Sequence, residues 1–400
     1  MKINNIFKVI SIVNLLLLPS QLYAADDIQY GKTDLPDMQA IKYITYDGNI
    51  KLDQGLFASN NKLYPELSLY GINIVFTENS NIDIGKCNEL SLNNCNIIIN
   101  GNITCSGDIN LMLNGSCLAL NNTKSNISLL EKYKSKITLN NSYLSFNSIP
   151  DNTIELFSNP DSYPKIVLNN CSSILFNNNV IMNLNEKGKV VLSENSLLGC
   201  SNGKINLGAG KLTANRSKCN FINNATLQVE LANMKLNDNS ILECLDSNIN
   251  FKDGTIDNDS NINYKTGTIH IDDSTGGFIN SHIDLGSGII DIANSGSDKI
   301  SIFELRYSTM QSDSEDCQFR LSSRNKFILD NSNVECFGRF IKSNNKDNES
   351  DSDAPIIILD KSSAVWRSMN CNQEALQLDV QGDSPSYFGT VDSILDNMKN

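Results

Sequence analysis

His270 and His282 are the only two histidines in the chain, and each stands among acidic residues. The two runs read His270-Ile271-Asp272-Asp273 and Ser281-His282-Ile283-Asp284. Two carboxylates on either side of a glycosidic bond serve as acid and base or nucleophile. An imidazole that titrates near neutrality can carry the proton between them. His270, Asp272, Asp273 and His282 are therefore the candidate catalytic set for polysaccharide cleavage. The competing reading makes all four outward-facing polar residues on strands, and the surrounding pattern favours it, so no catalytic residue is assigned.

Other motifs give less. Asp257-Asn258-Asp259-Ser260-Asn261 begins like a calcium loop, but Ile262 stands where glycine is needed and Thr268 where glutamate is needed. Gly208-Ala209-Gly210-Lys211 lacks the upstream glycine and following hydroxyl of a phosphate loop and reads as a turn. The 11 cysteines include no Cys-x-x-Cys pair, so no metal and no cofactor is implied. Their spacing is suggestive: Cys87 to Cys105, Cys95 to Cys117, Cys200 to Cys219 and Cys317 to Cys336 are separated by 18, 22, 19 and 19 residues. Such gaps suit either a buried stack of small apolar side chains or disulfides between neighbouring turns of a repeat.

The elements that must position these residues come from a recurring phrase. Lys165-Ile-Val-Leu-Asn-Asn-Cys171 returns as Leu90-Ser-Leu-Asn-Asn-Cys95, Leu118-Ala-Leu-Asn-Asn-Thr123 and Ile137-Thr-Leu-Asn-Asn-Ser142. Looser copies begin at Val190, Met234 and Ile358. The first five copies begin at residues 90, 118, 137, 166 and 190, a period in the twenties that marks a solenoid. Apolar residues alternate within each copy, which places them on one face of a strand. The Asn pair suits a corner, because Asn tolerates the left-handed backbone and bonds locally. Stacked strands of this kind also allow amide ladders. The expected fold is all-β, a single-stranded parallel β-helix of right-handed coil with an N-terminal cap.

Composition agrees. Of 59 Asn, 40 lie in residues 51–250 and 10 in the last hundred. Apolar residues make up 40% and charged ones 19%, enough to fill a core. The net charge of −13 argues against nucleic acid and anionic lipid as partners, and keeps an exported protein in solution. Lys2 and Lys8, the apolar run Ile10–Leu18, Pro19-Ser20 and Tyr23-Ala24-Ala25 follow the order of a secretory signal peptide cleaved near Ala24. No later run is long enough to span a membrane.

The expected layout is a signal peptide over 1–24, a cap over 25–75 and an Asn-rich β-helix over 76–295. The coil continues over 296–372 with an acidic loop at 342–354, and a cap or tail occupies 373–400. A projecting loop is expected at 148–164, which carries Pro150, Pro160 and Pro164.

These features together resemble bacterial autotransporter passenger domains and related β-helical surface proteins over about residues 72–365. Phe57-Ala-Ser-Asn60, Phe76-Thr-Glu-Asn79, Phe176-Asn-Asn-Asn179 and Phe221-Ile-Asn-Asn224 also look like the Phe-x-x-Asn repeats of chlamydial polymorphic membrane proteins, without the companion Gly-Gly-Ala-Ile. The resemblance implies a secreted, surface or periplasmic protein of a Gram-negative bacterium, with adhesion as its role. The partner it implies is a host-cell or envelope surface protein or glycan. The chain ends Asn397-Met-Lys-Asn400, without the aromatic-terminated translocator barrel of autotransporters, so the expectation is a passenger without its transporter: a truncated gene, a separately secreted protein or a periplasmic relative. The acidic pairs and Ser281-His282 are similar to the pectin-hydrolase branch of β-helix enzymes. That branch follows its histidine with Gly, where this chain has Ile283, and its Arg-Ile-Lys and Asn-Thr-Asp elements are absent.

Overall fold

The structure is a computed structural model. It describes residues 44–46, 49–51, 66–83, 89–104, 110–122, 135–148, 153–157, 161, 163–237, 240–252, 254–258, 261–264, 266–272, 275–293, 300–322, 324–343, 354–369, 377–381 and 387–390. Among these residues the regular elements are all β-strands. The chain divides into two compact units, Met1–Met182 and Asn183–Asn400, and each is a parallel β-helix.

In the first unit one stack comprises Glu66–Tyr70, Glu89–Asn93, Asn110–Asn114, Lys136–Asn140 and Lys165–Asn169, each in parallel register with the next. A second stack runs from Ile44–Tyr46 through Asn73–Phe76, Asn96–Ile99, Cys117–Asn122 and Tyr143–Ser148 to Ser173–Asn177. Shorter strands make the third face, Asn49–Lys51 with Asn81–Asp83 and Asn102–Thr104, and Ile154–Leu156 beneath Val180–Asn183. Parallel stacking therefore reaches into residues 44–70, within the segment expected to cap the coil. The segment expected to project at 148–164 contributes a strand.

The second unit repeats the plan. Its first stack runs Lys189–Ser193, Lys211–Asn215, Asn233–Asn237, Gly254–Asn258, Thr275–Ile279, Ile302–Arg306, Lys326–Asp330, Ile356–Asp360 and Gln377–Gln381. The second stack holds Leu197–Ser201, Lys218–Ile222, Ile241–Leu245, Asn261–Tyr264, His282–Asp284 and Thr309–Ser312. The third holds Lys204–Asn206, Thr226–Glu230, Ser247–Lys252, Gly267–Asp272, Ile289–Ala293 and Gln318–Ser322. The long strand Asn333–Ser343 serves both, pairing with Thr309–Ser312 through its first residues and with Gln318–Ser322 through its last. Ser363–Met369 and Tyr387–Thr390 extend the second stack. Residues 344–353, most of the expected acidic loop, lie outside the described residues.

The register follows from alternation. In Lys165–Asn169 Ile166 and Leu168 are buried while Lys165 is exposed. Because a parallel coil sets like above like, the inward residues form continuous columns. One runs Val190, Leu212, Met234, Ile256, Phe278, Leu305, Leu329 and Leu359, all fully buried. Each such side chain contributes roughly 1.5–3 kcal/mol. A one-residue slip would turn the whole column outward, so burial fixes the pairing. Later in the unit the core turns aromatic, with Phe303, Phe319, Phe327, Phe340 and Trp366 in chained ring contacts.

The corner between the first and second stacks explains the Asn-Asn phrase. The first Asn ends the strand and joins a ladder: Asn114, Asn140 and Asn169 each donate Nδ2 to the Oδ1 of Asn93, Asn114 and Asn140 at 2.9, 2.8 and 3.0 Å. The next residue takes the left-handed conformation, as at Asn94, Asn141, Asn280 and Asn331, but also at Arg216, Tyr307 and Lys361. Its N–H donates to the strand-end carbonyl of the following coil, as Asn141 N does to Asn169 O and Tyr307 N to Asp330 O. A buried serine follows. Ser142 donates Oγ to Asn140 O at 2.8 Å and accepts the N–H of Ser116 at 3.0 Å. Ser308, Ser332 and Ser362 repeat both bonds in the second unit, and Ser281 repeats the donation. Bent backbone inside a stack is thus given acceptors from the following coil, as Asn141 N–H and Ser142 N–H find in Asn169 O and Ser172 Oγ.

Candidate functional site

Gly267–Asp272 is a third-stack strand in which Ile269 and Ile271 are fully buried, so His270 between them faces outward. Register puts it between Asn250 and Asp291, with Gln228 before Asn250 and Arg320 after Asp291. The result is a partly exposed column Gln228, Asn250, His270, Asp291, Arg320. Strand spacing in a sheet is ~4.8 Å, so the column presents a polar side chain at each such step.

Within it His270 Nδ1 lies 3.5 Å from Asp291 Oδ2, an attraction that becomes an ion pair when the ring is protonated. Arg320 donates Nε and Nη2 to Gln318 Oε1 at 3.1 and 2.8 Å, which holds the guanidinium against its own strand. One edge of the fork is thus fixed. Gln228 donates Nε2 to Glu230 at 3.2 Å. The column offers donors, a carboxylate and a cation in a row, a set that can hydrogen-bond the hydroxyls and carboxylates of an extended ligand.

His282 belongs elsewhere. It begins His282–Asp284 in the second stack, between Asn261 and Thr309, and its Nδ1 lies 2.6 Å from Thr309 Oγ1. His270 and His282 therefore stand in separate stacks with different partners, and the structure does not bring these two together. Ser281, the other half of the Ser-His pair, is buried in the corner column, donating Oγ to Ile279 O at 3.0 Å. Asp284 is exposed and accepts the N–H of Gly286 at 3.3 Å. Asp272 ends the strand that carries His270; Asp273 lies outside the described residues, as does Asp259 of the calcium-like run. Asp257 and Asn258 are in a paired strand of the first stack. The Gly208 segment is a turn at φ +49, and Lys211 opens the next strand.

Asp291, which faces His270, and Arg320, the register partner of Asp291, carry no motif that singles them out in the sequence. Their signal is the coil period: residues 228, 250, 270, 291 and 320 recur at one register position, but no local motif surrounds them.

Among the described residues the thiols offer no exposed nucleophile apart from one turn residue. Burial pushes Cys117, Cys200 and Cys219 up to about 12, so they stay protonated at neutral pH. Cys200 shares its column with Phe221, and Cys219 with Leu198, so this pair, separated by about one coil, does not stack. Cys95 takes the place that serine holds elsewhere, donating Sγ to Asn93 O at 3.4 Å and its N–H to Ser116 Oγ. Cys171 is exposed at a left-handed turn position, and Ser172 takes the corner place beside it.

Among the described residues no group of three or more His, Cys, Asp or Glu could hold a metal ion, and no helix is long and apolar enough to cross a membrane. No family model, curated protein or solved structure matches the chain.

Proposed function

We propose that the protein is a secreted or surface-exposed β-helical interaction protein of a Gram-negative bacterium, related to autotransporter passengers, and that its role is adhesion. The observation that carries this reading is the in-register polar column Gln228, Asn250, His270, Asp291, Arg320 on the third stack. Stacked coils give an extended lateral surface, and a periodic row of polar groups suits an extended glycan or a strand-like segment of a surface protein. The order of residues 1–25 supports export, and the acidic charge of −13 supports a partner other than nucleic acid or anionic lipid.

The test is binding of the purified chain to arrayed glycans and to host-cell surface extracts, compared with a His270→Ala/Arg320→Ala variant. The expected result is retention of a glycan or glycoprotein and a loss of about tenfold or more in the variant, as for a truncated charge-assisted contact. Equal retention by both chains removes the column from the interaction.

A second reading, a carbohydrate-active β-helix enzyme, draws on the His270–Asp291 approach beside Arg320. It requires release of reducing or unsaturated ends from polysaccharide and loss of that release in Asp273→Ala. Without turnover, the adhesive reading stands alone.

A further inference from the structure

Four pairs of cysteines are separated by about one coil in sequence. In the structure one of them, Cys317 with Cys336, brings two thiols near enough to influence each other's protonation. Both residues are buried, at 0% and 2% exposure. Cys317 immediately precedes the third-stack strand Gln318–Ser322, and Cys336 lies where Asn333–Ser343 passes from the second stack to the third. The register shifts between Cys336 and Arg339. At the centre of the shift Gly338 lies against Cys317, and a Cβ there would stand 2.7 Å from the Cys317 Cβ and 2.0 Å from its carbonyl oxygen. The missing side chain lets the two coils close over the thiol, and Arg339 N donates to Cys317 O at 2.9 Å to hold them. A disulfide, with its ~2.05 Å sulfur–sulfur bond, joins residues whose Cα atoms are roughly 4.4–6.8 Å apart, a span that neighbouring coils at ~4.8 Å spacing supply.

We propose that Cys317 and Cys336 are a covalent modification site, forming a disulfide between successive coils when the chain meets a disulfide donor. The Cys317 thiolate attacks one sulfur of the donor, giving a mixed disulfide and releasing one donor thiolate. Cys336 then loses its proton and attacks the Cys317 sulfur, releasing the second donor thiolate. Two protein thiols give up two electrons and two protons, and one donor disulfide becomes two thiols. The roles follow from the surroundings: the Cys336 thiol and the Ser312 hydroxyl beside Cys317 hold its thiol below the usual range, whereas Cys336 is raised. Because both sulfurs are buried in the closed coil, exchange takes place before the coils close or through local opening. The other cysteines among the described residues do not share this geometry. Cys219 and Cys244 occupy different columns, and Cys95 bonds a backbone carbonyl.

Trp366, the only tryptophan, reports on the site. It is the register partner of Cys336, is fully buried, and packs on Phe319 and Phe340 at 5.3 and 5.6 Å. A disulfide against an indole quenches its emission.

The experiment unfolds and refolds the full chain in glutathione buffers of rising oxidised fraction, then traps free thiols by alkylation and maps peptides. The expected result is a peptide joining Cys317 to Cys336 and a chain lighter by two hydrogen atoms. Tryptophan emission falls and is restored by dithiothreitol, and the melting point rises by about 5 °C. Cys336→Ser abolishes the redox response of the emission, and Cys317→Ser does the same should the first variant fold poorly. Alkylation of both thiols under every buffer overturns the proposal, as does a linked peptide that joins either one to a different cysteine.

Discussion

At the scale of the residue, the corner separates two roles that the sequence writes as one phrase. The left-handed position costs an L-residue with a bulky side chain ~1–2 kcal/mol relative to glycine, and Tyr307 occupies it at φ 50 with its side chain exposed. The serine after it does the fastening. Ser332 Oγ donates toward Asp330 O and Leu305 O at 2.8 and 3.0 Å and accepts the N–H of Ser308 at 3.0 Å. Two substitutions one corner apart should therefore move stability in opposite directions. Tyr307→Asn gains about 0.5–1 kcal/mol by relieving backbone strain. Ser332→Ala loses about 1–3 kcal/mol because a buried N–H is left without its acceptor. Denaturant titration of both against the parent chain checks the pair. A loss in Tyr307→Asn would mean that the exposed ring holds something the corner needs. The same scale accounts for the Ser281-His282 pair. A serine beside a histidine reads as chemistry, but Ser281 is a corner serine like Ser308 and Ser332.

At the scale of the element, amide ladders and aliphatic columns hold a strand to its neighbours from opposite faces. Asn140 donates to Asn114 at 2.8 Å and accepts from Asn169 at 3.0 Å, so one truncation interrupts two rungs. Asn140→Ala should cost about 1–2 kcal/mol, and amide exchange should quicken first in Asn110–Asn114 and Lys165–Asn169, the strands on either side. An unchanged exchange pattern would assign the ladder's stability to the backbone alone. Most of this was legible, since the repeated Leu-Asn-Asn contains both the column and the ladder. The third stack was less so. Some of its strands are short, as in Ile154–Leu156 and Lys204–Asn206, and there period-2 alternation has too few residues to declare itself. Asp291 and Arg320 stayed hidden although their strands are five residues long. Each is an unremarked polar residue until coils of unequal length are laid in register.

At the scale of the whole molecule, each unit is a sum of neighbouring coils, because a coil touches mainly the one before and the one after. Damage should then remain local. Ile256 is fully buried between Met234 and Phe278 in its column, and Ile256→Ala should cost about 2–5 kcal/mol. Hydrogen exchange should rise in Asn233–Asn237 and Thr275–Ile279 while Ile356–Asp360, several coils further on, keeps its protection. A uniform loss across the second unit would show that the aromatic cluster couples distant coils into one cooperative block. The net charge of −13 acts at this scale too, keeping long flat sheets apart in solution.

The corner serines carry one more implication. Since serine and backbone groups secure the bend, the residue displayed just ahead of them is released from any duty to the fold. Asn, Arg, Tyr and Lys all occupy that place at Asn141, Arg216, Tyr307 and Lys361. The edge of the coil is therefore a rail of interchangeable beads, which a lineage can rewrite while the architecture behind it stays the same.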